Sequence, residues 1–355
     1  MVFSALFCFA HLLSNVAADP QLGDMEPLYV FTPGPAPGNC DNYKSDLQTA
    51  FSEGINMFKA STAAILYLNQ PMPGILHPLN RRKWKAWAQV LFELFDIAVN
   101  TKTGLQLPNG PAQGVLDNFN AMINAHNYIP PGSGPYKYWF FCSDEFLEYK
   151  SPPTAEEIEN WNWPASMDNL VPWVRANGYW NGTGGTAAHP FRVRIPANPG
   201  DSAAASMLCA RPTSIVRAFV IPNNVALIFC PNAFTETPYI TAAQAMNDPK
   251  TKTPGAYIDE FQSWSDTMSH EWAHLVLHLI DEIATDGPGR DLDTDGVPTR
   301  MYGFGRVSQT ARFYPDRVRK TPEAYTRHSM AVFYTGNNKW GLQYVTGRPK
   351  PWKQL

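Results

Sequence analysis

Two histidines four residues apart, with a glutamate after the first, lie inside a stretch whose apolar residues recur at helical spacing. The run is His270-Glu271-Trp272-Ala273-His274. Around it, Trp264, Met268, Trp272, Leu275, Val276, Leu279 and Ile283 form one stripe, the pattern of a half-buried helix. Asp286-Gly287-Pro288 supplies the residues that end such a helix. Helical positions i and i+4 share a face, so both imidazoles can reach one cation. Glu271 stands about 100° round the helix from His270, close enough to act on a water beside that cation without ligating it. A glutamate between the histidines has no packing role on such a helix.

This H-E-x-x-H arrangement is the one used by zinc peptidases. Catalytic zinc takes three protein ligands and keeps one position open. His270 and His274 supply two of the three. Downstream candidates for the third are Asp281, Asp291, Asp293, Asp295, Glu323 and His328. His278 extends the histidine run, but it recedes along the same straight helix and is expected as a packed or supporting residue. Asp291-Leu292-Asp293-Thr294-Asp295-Gly296 has the opening of a calcium loop. Its twelfth position is Tyr302 rather than glutamate and no helix enters it, which disfavours calcium. The sharper reading sends one of its aspartates back to the metal; the plain one leaves a solvated acidic loop.

Composition narrows the class. The chain has 355 residues, 44% of them hydrophobic, enough for a large core, and 32 prolines and 24 glycines, which argue against a helical bundle. Its net charge of -3 argues against a nucleic-acid or an anionic-membrane partner. Residues 1–18 are apolar, too short for a comfortable membrane span, and end in small residues at Val16-Ala17-Ala18. They read as a secretory signal, although a basic start is missing. No other segment has a spanning run. Removing the leader removes Cys8 and leaves Cys40, Cys142, Cys209 and Cys230, an even set that suits disulfides in an oxidising compartment. Three pairings are open to them. Asn181-Gly182-Thr183 is a glycosylation sequon if the chain is secreted.

Along the chain, residues 19–43 read as an irregular leader. Helical periodicity covers 45–67, 81–99 and 113–126. The aromatic run 138–149 reads as a strand, and 151–213 as an insertion with one strand at 187–196. The runs 214–222 and 225–231 read as a hairpin turning at Asn223-Asn224. A last helix is expected near 322–334. The order suits an α+β fold: a zincin-like domain over 44–345, with a small mixed sheet, the H-E-x-x-H helix and a tail at 346–355.

VALIFCPNAF (225–234), then HEWAH, then Tyr302-Gly303, then a helix near Glu323-Ala324-Tyr325, together resemble the deuterolysin-like aspzincin metallopeptidases of fungi. Tyr138-Trp-Phe-Phe-Cys-Ser-Asp144 fits the same layout, and the resemblance spans roughly residues 43 to 340. It implies a secreted zinc endopeptidase acting on protein or peptide substrates, with two histidine ligands, a catalytic glutamate and an aspartate as third ligand. The family's segment before Tyr-Gly reads G-T-x-D-x-x-Y-G. Its aspartate would fall here on Thr299, a poor zinc ligand. The loop is therefore read as rearranged, with Asp293 as first choice for the metal and Asp291 or Asp295 as alternatives. The resemblance implies Glu271 as general base and Tyr302 as donor to the reaction's oxyanion. A monomer is expected, with no nucleic-acid partner. Two other readings remain: a non-catalytic zinc-binding secreted or surface protein on the same scaffold, and a site in which Glu323 is the third ligand.

Overall fold

The computed structural model describes residues 25, 29–31, 34, 38–125, 138–154, 156, 171–185, 190–197, 208–209, 216–221, 226–253, 256–282, 284–287, 290–291, 300–337, 342–344, 346–348 and 350–351. The expected signal segment, the turn at Asn223-Asn224, and Asp293 and Asp295 lie outside these. The chain mixes helices with small sheets and gathers into two compact units. One comprises residues 1–25, 46–127 and 239–355; the other comprises 26–45 and 128–238.

The first unit is mainly helical and carries the H-E-x-x-H motif. Its helices are α1 (Lys44–Leu68, from Asp46 onward in this unit), α2 (Pro78–Phe95) and α3 (Pro111–Asn124). Further along come α6 (Ala242–Asn247), α7 (Trp264–Leu277), α8 (Phe304–Ala311), α9 (Pro315–Val318) and α10 (Pro322–Asn337). Helix α7 is enclosed. The Trp272 indole donates to the Met122 carbonyl at the end of α3 and packs edge-on to Phe51 of α1. Gly54 lets α1 approach closely, since a Cβ there would stand 2.8 Å from the Ser269 hydroxyl. Helix α10 packs against α2 and α7. His328 is a core residue of α10, bonded to Ser61 and packed in tilted contact with Phe95 and Phe119; burial lowers its pKa to about 3. It is no metal ligand.

The second unit holds a four-stranded sheet in the order β1-β2-β7-β6. Its strands are β1 (Tyr29–Phe31), β2 (Tyr138–Phe141), β6 (Ala218–Val220) and β7 (Ala226–Phe229). Strands β1, β2 and β7 are parallel neighbours, and β6 returns antiparallel at the edge as the expected hairpin. Strand β1 falls in the stretch expected to be irregular. A second antiparallel sheet joins β3 (Leu147–Lys150), β4 (Tyr179–Gly185) and β5 (Pro190–Pro196), so the region read as an insertion carries more order than expected. It also holds the short α4 (Val171–Asn177), and α5 (Pro231–Glu236) follows β7. The disulfides are Cys40–Cys142 and Cys209–Cys230, which settles the pairing. Cys209 and Cys230 sit in a core with Phe141, Trp180 and Ile228.

In the first unit, two short hairpins complete the inventory: β8 (Thr285–Gly287) with β9 (Arg290–Asp291), and β10 (Leu342–Gln343) with β11 (Lys350–Pro351). The latter gives structure to the expected tail. Among the described residues no helix is long and apolar enough to cross a membrane.

Candidate metal centre

Helix α7 begins at a capping box. The Ser263 hydroxyl accepts from the Asp266 N–H, and the Asp266 carboxylate accepts from the Ser263 N–H at 2.7 Å. The far end is the surprise. The apolar stripe suggested a helix running to Ile283, but α7 stops at Leu277 because His278 takes the left-handed conformation, φ 53°. Histidine is among the residues that tolerate that region better than most. The chain doubles back, and Leu279 no longer lies on the helix.

Four backbone contacts pin the returning segment. The Leu279 carbonyl accepts from His274 Nδ1 at 2.7 Å. The Ile280 N–H donates to Lys320, the Asp281 carbonyl accepts from the Arg300 guanidinium, and the Glu282 carbonyl accepts from the Met301 N–H. So held, Asp281 turns its carboxylate onto the two histidines. Its Oδ1 lies 3.2 Å from His270 Nε2 and 3.3 Å from His274 Nε2, without completing a hydrogen bond to either. The three ligand atoms all fall within 4.8 Å of one another.

This donor set fits a small divalent cation. Two atoms bound tetrahedrally at roughly 2.0–2.1 Å stand about 3.3 Å apart, the spacing seen between Asp281 and each imidazole. Both Nδ1 atoms are engaged elsewhere, which leaves each Nε2 free to ligate: His274 Nδ1 donates to a carbonyl and His270 Nδ1 to Glu323 Oε2 at 3.0 Å. Asp281 Oδ1 and Glu271 Oε2 are buried with no hydrogen-bond partner among the described residues, a costly state that a cation and a water would relieve. Charge points the same way. Asp259, Glu271, Asp281 and Glu323 gather with Arg327 among them, a carboxylate-rich set that attracts positive charge, whether a cation or the proton it favours on His270. Burial pushes the Asp281 carboxyl up, but the neighbouring imidazoles overcome it and hold it far below the usual range.

Among the described residues, the carboxylate brought to the Nε2 atoms of the two histidines is that of Asp281, one of the sequence candidates. Asp293 and Asp295 lie outside the described residues. Asp291 falls on β9, paired with Thr285. Glu323 stands on the far side of the His270 ring, bonded to Nδ1, and so acts as support rather than as a ligand. Tyr302 does reach the site, but its hydroxyl donates to Asp281 Oδ2 at 2.7 Å. The proton expected for an oxyanion is engaged with the aspartate.

A buried chain of charges behind the site went unread. Glu323 accepts from the Gly303 N–H and from Arg327, both at 2.6 Å. Arg327 also pairs with Asp259 at 3.3 Å, and Asp259 accepts from the Phe304 N–H. Gly303 makes this possible: its φ is 90°, and a Cβ there would stand 2.9 Å from Asp259 Oδ2. Burial pushes Glu323 up, yet Arg327 and His270 hold it at about 2. Glu323 and Arg327 sit at i and i+4 on α10, a signal that sequence shows but that ordinarily marks a surface pair.

No protein-family profile matches this chain, and no curated protein matches it.

Proposed function

We propose that the chain is a secreted zinc-dependent endopeptidase with a zincin-like active site, related to the deuterolysin-like family its motifs resemble. His270, His274 and Asp281 hold the ion and Glu271 is the general base. One observation carries the reading: two imidazole nitrogens and one unsatisfied carboxylate oxygen converge at ligand spacing, beside a buried glutamate oxygen that also lacks a partner. The two disulfides support an oxidising, extracellular setting.

A bound zinc ion supplies Lewis acidity toward the scissile carbonyl and toward water. Glu271 takes the proton from the attacking water and passes it to the leaving amine. Burial raises the Glu271 pKa above that of an ordinary carboxylate, against the pull of the two imidazoles. Tyr302 holds Asp281 in place through Oδ2, which leaves Oδ1 to face the ion.

The test is Glu271→Gln, assayed for zinc content and for casein hydrolysis with and without chelator. Zinc stays stoichiometric while hydrolysis falls about 10²–10⁴-fold, the usual weight of a general base. Full activity in the variant overturns the mechanism. Stoichiometric zinc in the parent chain with no hydrolysis of any peptide assigns it instead as a zinc-binding scaffold.

A further inference from the structure

The most conspicuous surface feature outside the metal centre is the turn that leads into α2. Ile75, Leu76 and Leu79 are 79%, 86% and 74% exposed, three aliphatic side chains within five residues. The turn is not a frayed end. Prolines at 71, 73 and 78 restrict its backbone, and Pro78 opens α2. The Met72 N–H donates to the Thr101 carbonyl, Arg81 donates to the Pro73 carbonyl at 3.1 Å, and the Trp84 indole donates to the Gln70 carbonyl at 3.0 Å. A braced base thus presents an apolar tip to solvent.

The charge around the tip has one sign. No aspartate or glutamate occurs between Glu53 and Glu93, whereas Arg81, Arg82, Lys83 and Lys85 follow Leu79 directly. Arg82 and Lys83 lie three and four residues beyond Leu79, on its face of the helix. This is a local cationic band on a chain whose net charge is -3. Protein-binding hot spots favour tryptophan, tyrosine and arginine and use leucine sparingly. Aliphatic residues at a protruding tip backed by cations are instead the pattern of a segment that inserts at a lipid interface and is drawn there by anionic headgroups.

We propose that the 71–85 segment docks on an anionic lipid surface, with Ile75, Leu76 and Leu79 entering the headgroup region and the following basic residues meeting its charge. This rests on nothing at the metal centre, so neither proposal falls with the other. The test is co-sedimentation of the full chain with vesicles of phosphatidylglycerol and phosphatidylcholine in equal parts, against phosphatidylcholine alone. The chain pellets with the anionic vesicles, and added salt weakens the uptake. The double variant Leu76→Ser/Leu79→Ser lowers uptake about tenfold while its circular dichroism and melting temperature stay those of the parent. Arg82→Gln/Lys85→Gln removes two of the four cations, so it lowers uptake on the anionic vesicles and weakens the salt dependence by about half. Failure to pellet at low salt overturns the proposal, as does uptake indifferent to the leucine substitutions. A concentration-dependent dimer that those substitutions dissolve, without vesicle uptake, also overturns it and assigns the tip to a protein contact.

Discussion

Asp281 Oδ1 stands 3.2 Å from His270 Nε2, while Glu323 holds the other ring nitrogen, Nδ1, at 3.0 Å. The same imidazole thus has a carboxylate at each nitrogen. One carboxylate is engaged by Arg327 and the Gly303 N–H, and the other has an oxygen with no hydrogen-bond partner among the described residues. That asymmetry suits the two roles proposed for them, Glu323 orienting the ring and Asp281 completing the set of ligands.

Asp281→Ala is expected to lose zinc, by more than the roughly 10–100-fold that removal of a supporting carboxylate costs. Asp291→Ala, Asp293→Ala and Asp295→Ala are expected to keep it. Equilibrium dialysis against a zinc indicator distinguishes them. Zinc retained in Asp281→Ala and lost in Asp293→Ala would return the third ligand to the acidic loop.

Glu323→Ala takes from buried Arg327 its closest carboxylate and leaves it Asp259 and the more distant Asp266. Breaking a buried pair from one side costs about 3–5 kcal/mol, to be read from a denaturant midpoint in the metal-free protein. Glu323→Gln keeps the shape and loses the charge, so it should weaken zinc about 10–100-fold with a smaller loss of stability. Unchanged affinity in Glu323→Gln would remove Glu323 from the support of His270.

What the sequence disclosed and what it hid divide along the reach of local rules. The periodicity of residues 45–67 placed α1 nearly to its ends, Lys44 and Leu68, because an apolar face repeats over many turns. The pair His270 and His274 was legible because four-residue spacing fixes a shared helical face. Asp281 was not singled out, since its place depends on one backbone conformation at His278, and no glycine marks that position. Leu279 and Ile283 kept the apolar rhythm past the true end of the helix and so concealed the turn. The Asp259–Arg327–Glu323 chain was hidden for another reason. Sequence spacing gives adjacency on a helix, but it does not tell which charged face is turned inward.

Tyr302→Phe separates two roles for the phenol. Its hydroxyl donates to Asp281 Oδ2, so its loss should lower zinc affinity about tenfold, as loss of other groups that orient a ligand does. A phenol acting on the oxyanion would instead lower kcat and leave zinc affinity untouched. Titrating zinc into apo-protein before measuring turnover tells the two apart.

His278→Val should destabilise the fold by roughly 1–2 kcal/mol, because a β-branched residue is ill-suited to the left-handed conformation that ends α7. The same change should loosen Asp281, so zinc affinity should fall along with the denaturation midpoint. A loss of stability with unaltered zinc binding would mean that the contacts at Leu279, Ile280 and Glu282 hold Asp281 without help from the helix end.

His328 gives the fold a dependence on pH that is separate from the metal. Burial lowers its folded pKa to about 3, against roughly 6.5 in an unfolded chain. Between those values the unfolded state binds the extra proton, so stability is full above about pH 6.5 and declines as pH falls, by as much as about 1.4 kcal/mol per pH unit. His328→Gln cannot take up that proton. It should be less stable than the parent at neutral pH, because the ring packed against Phe95 and Phe119 is lost, yet the gap should narrow steadily toward pH 4. Denaturant melts of both chains, stripped of metal so that ligand protonation is common to the two, measure that difference. A gap independent of pH would mean that His328 is hydrated and titrates as it does in the unfolded chain.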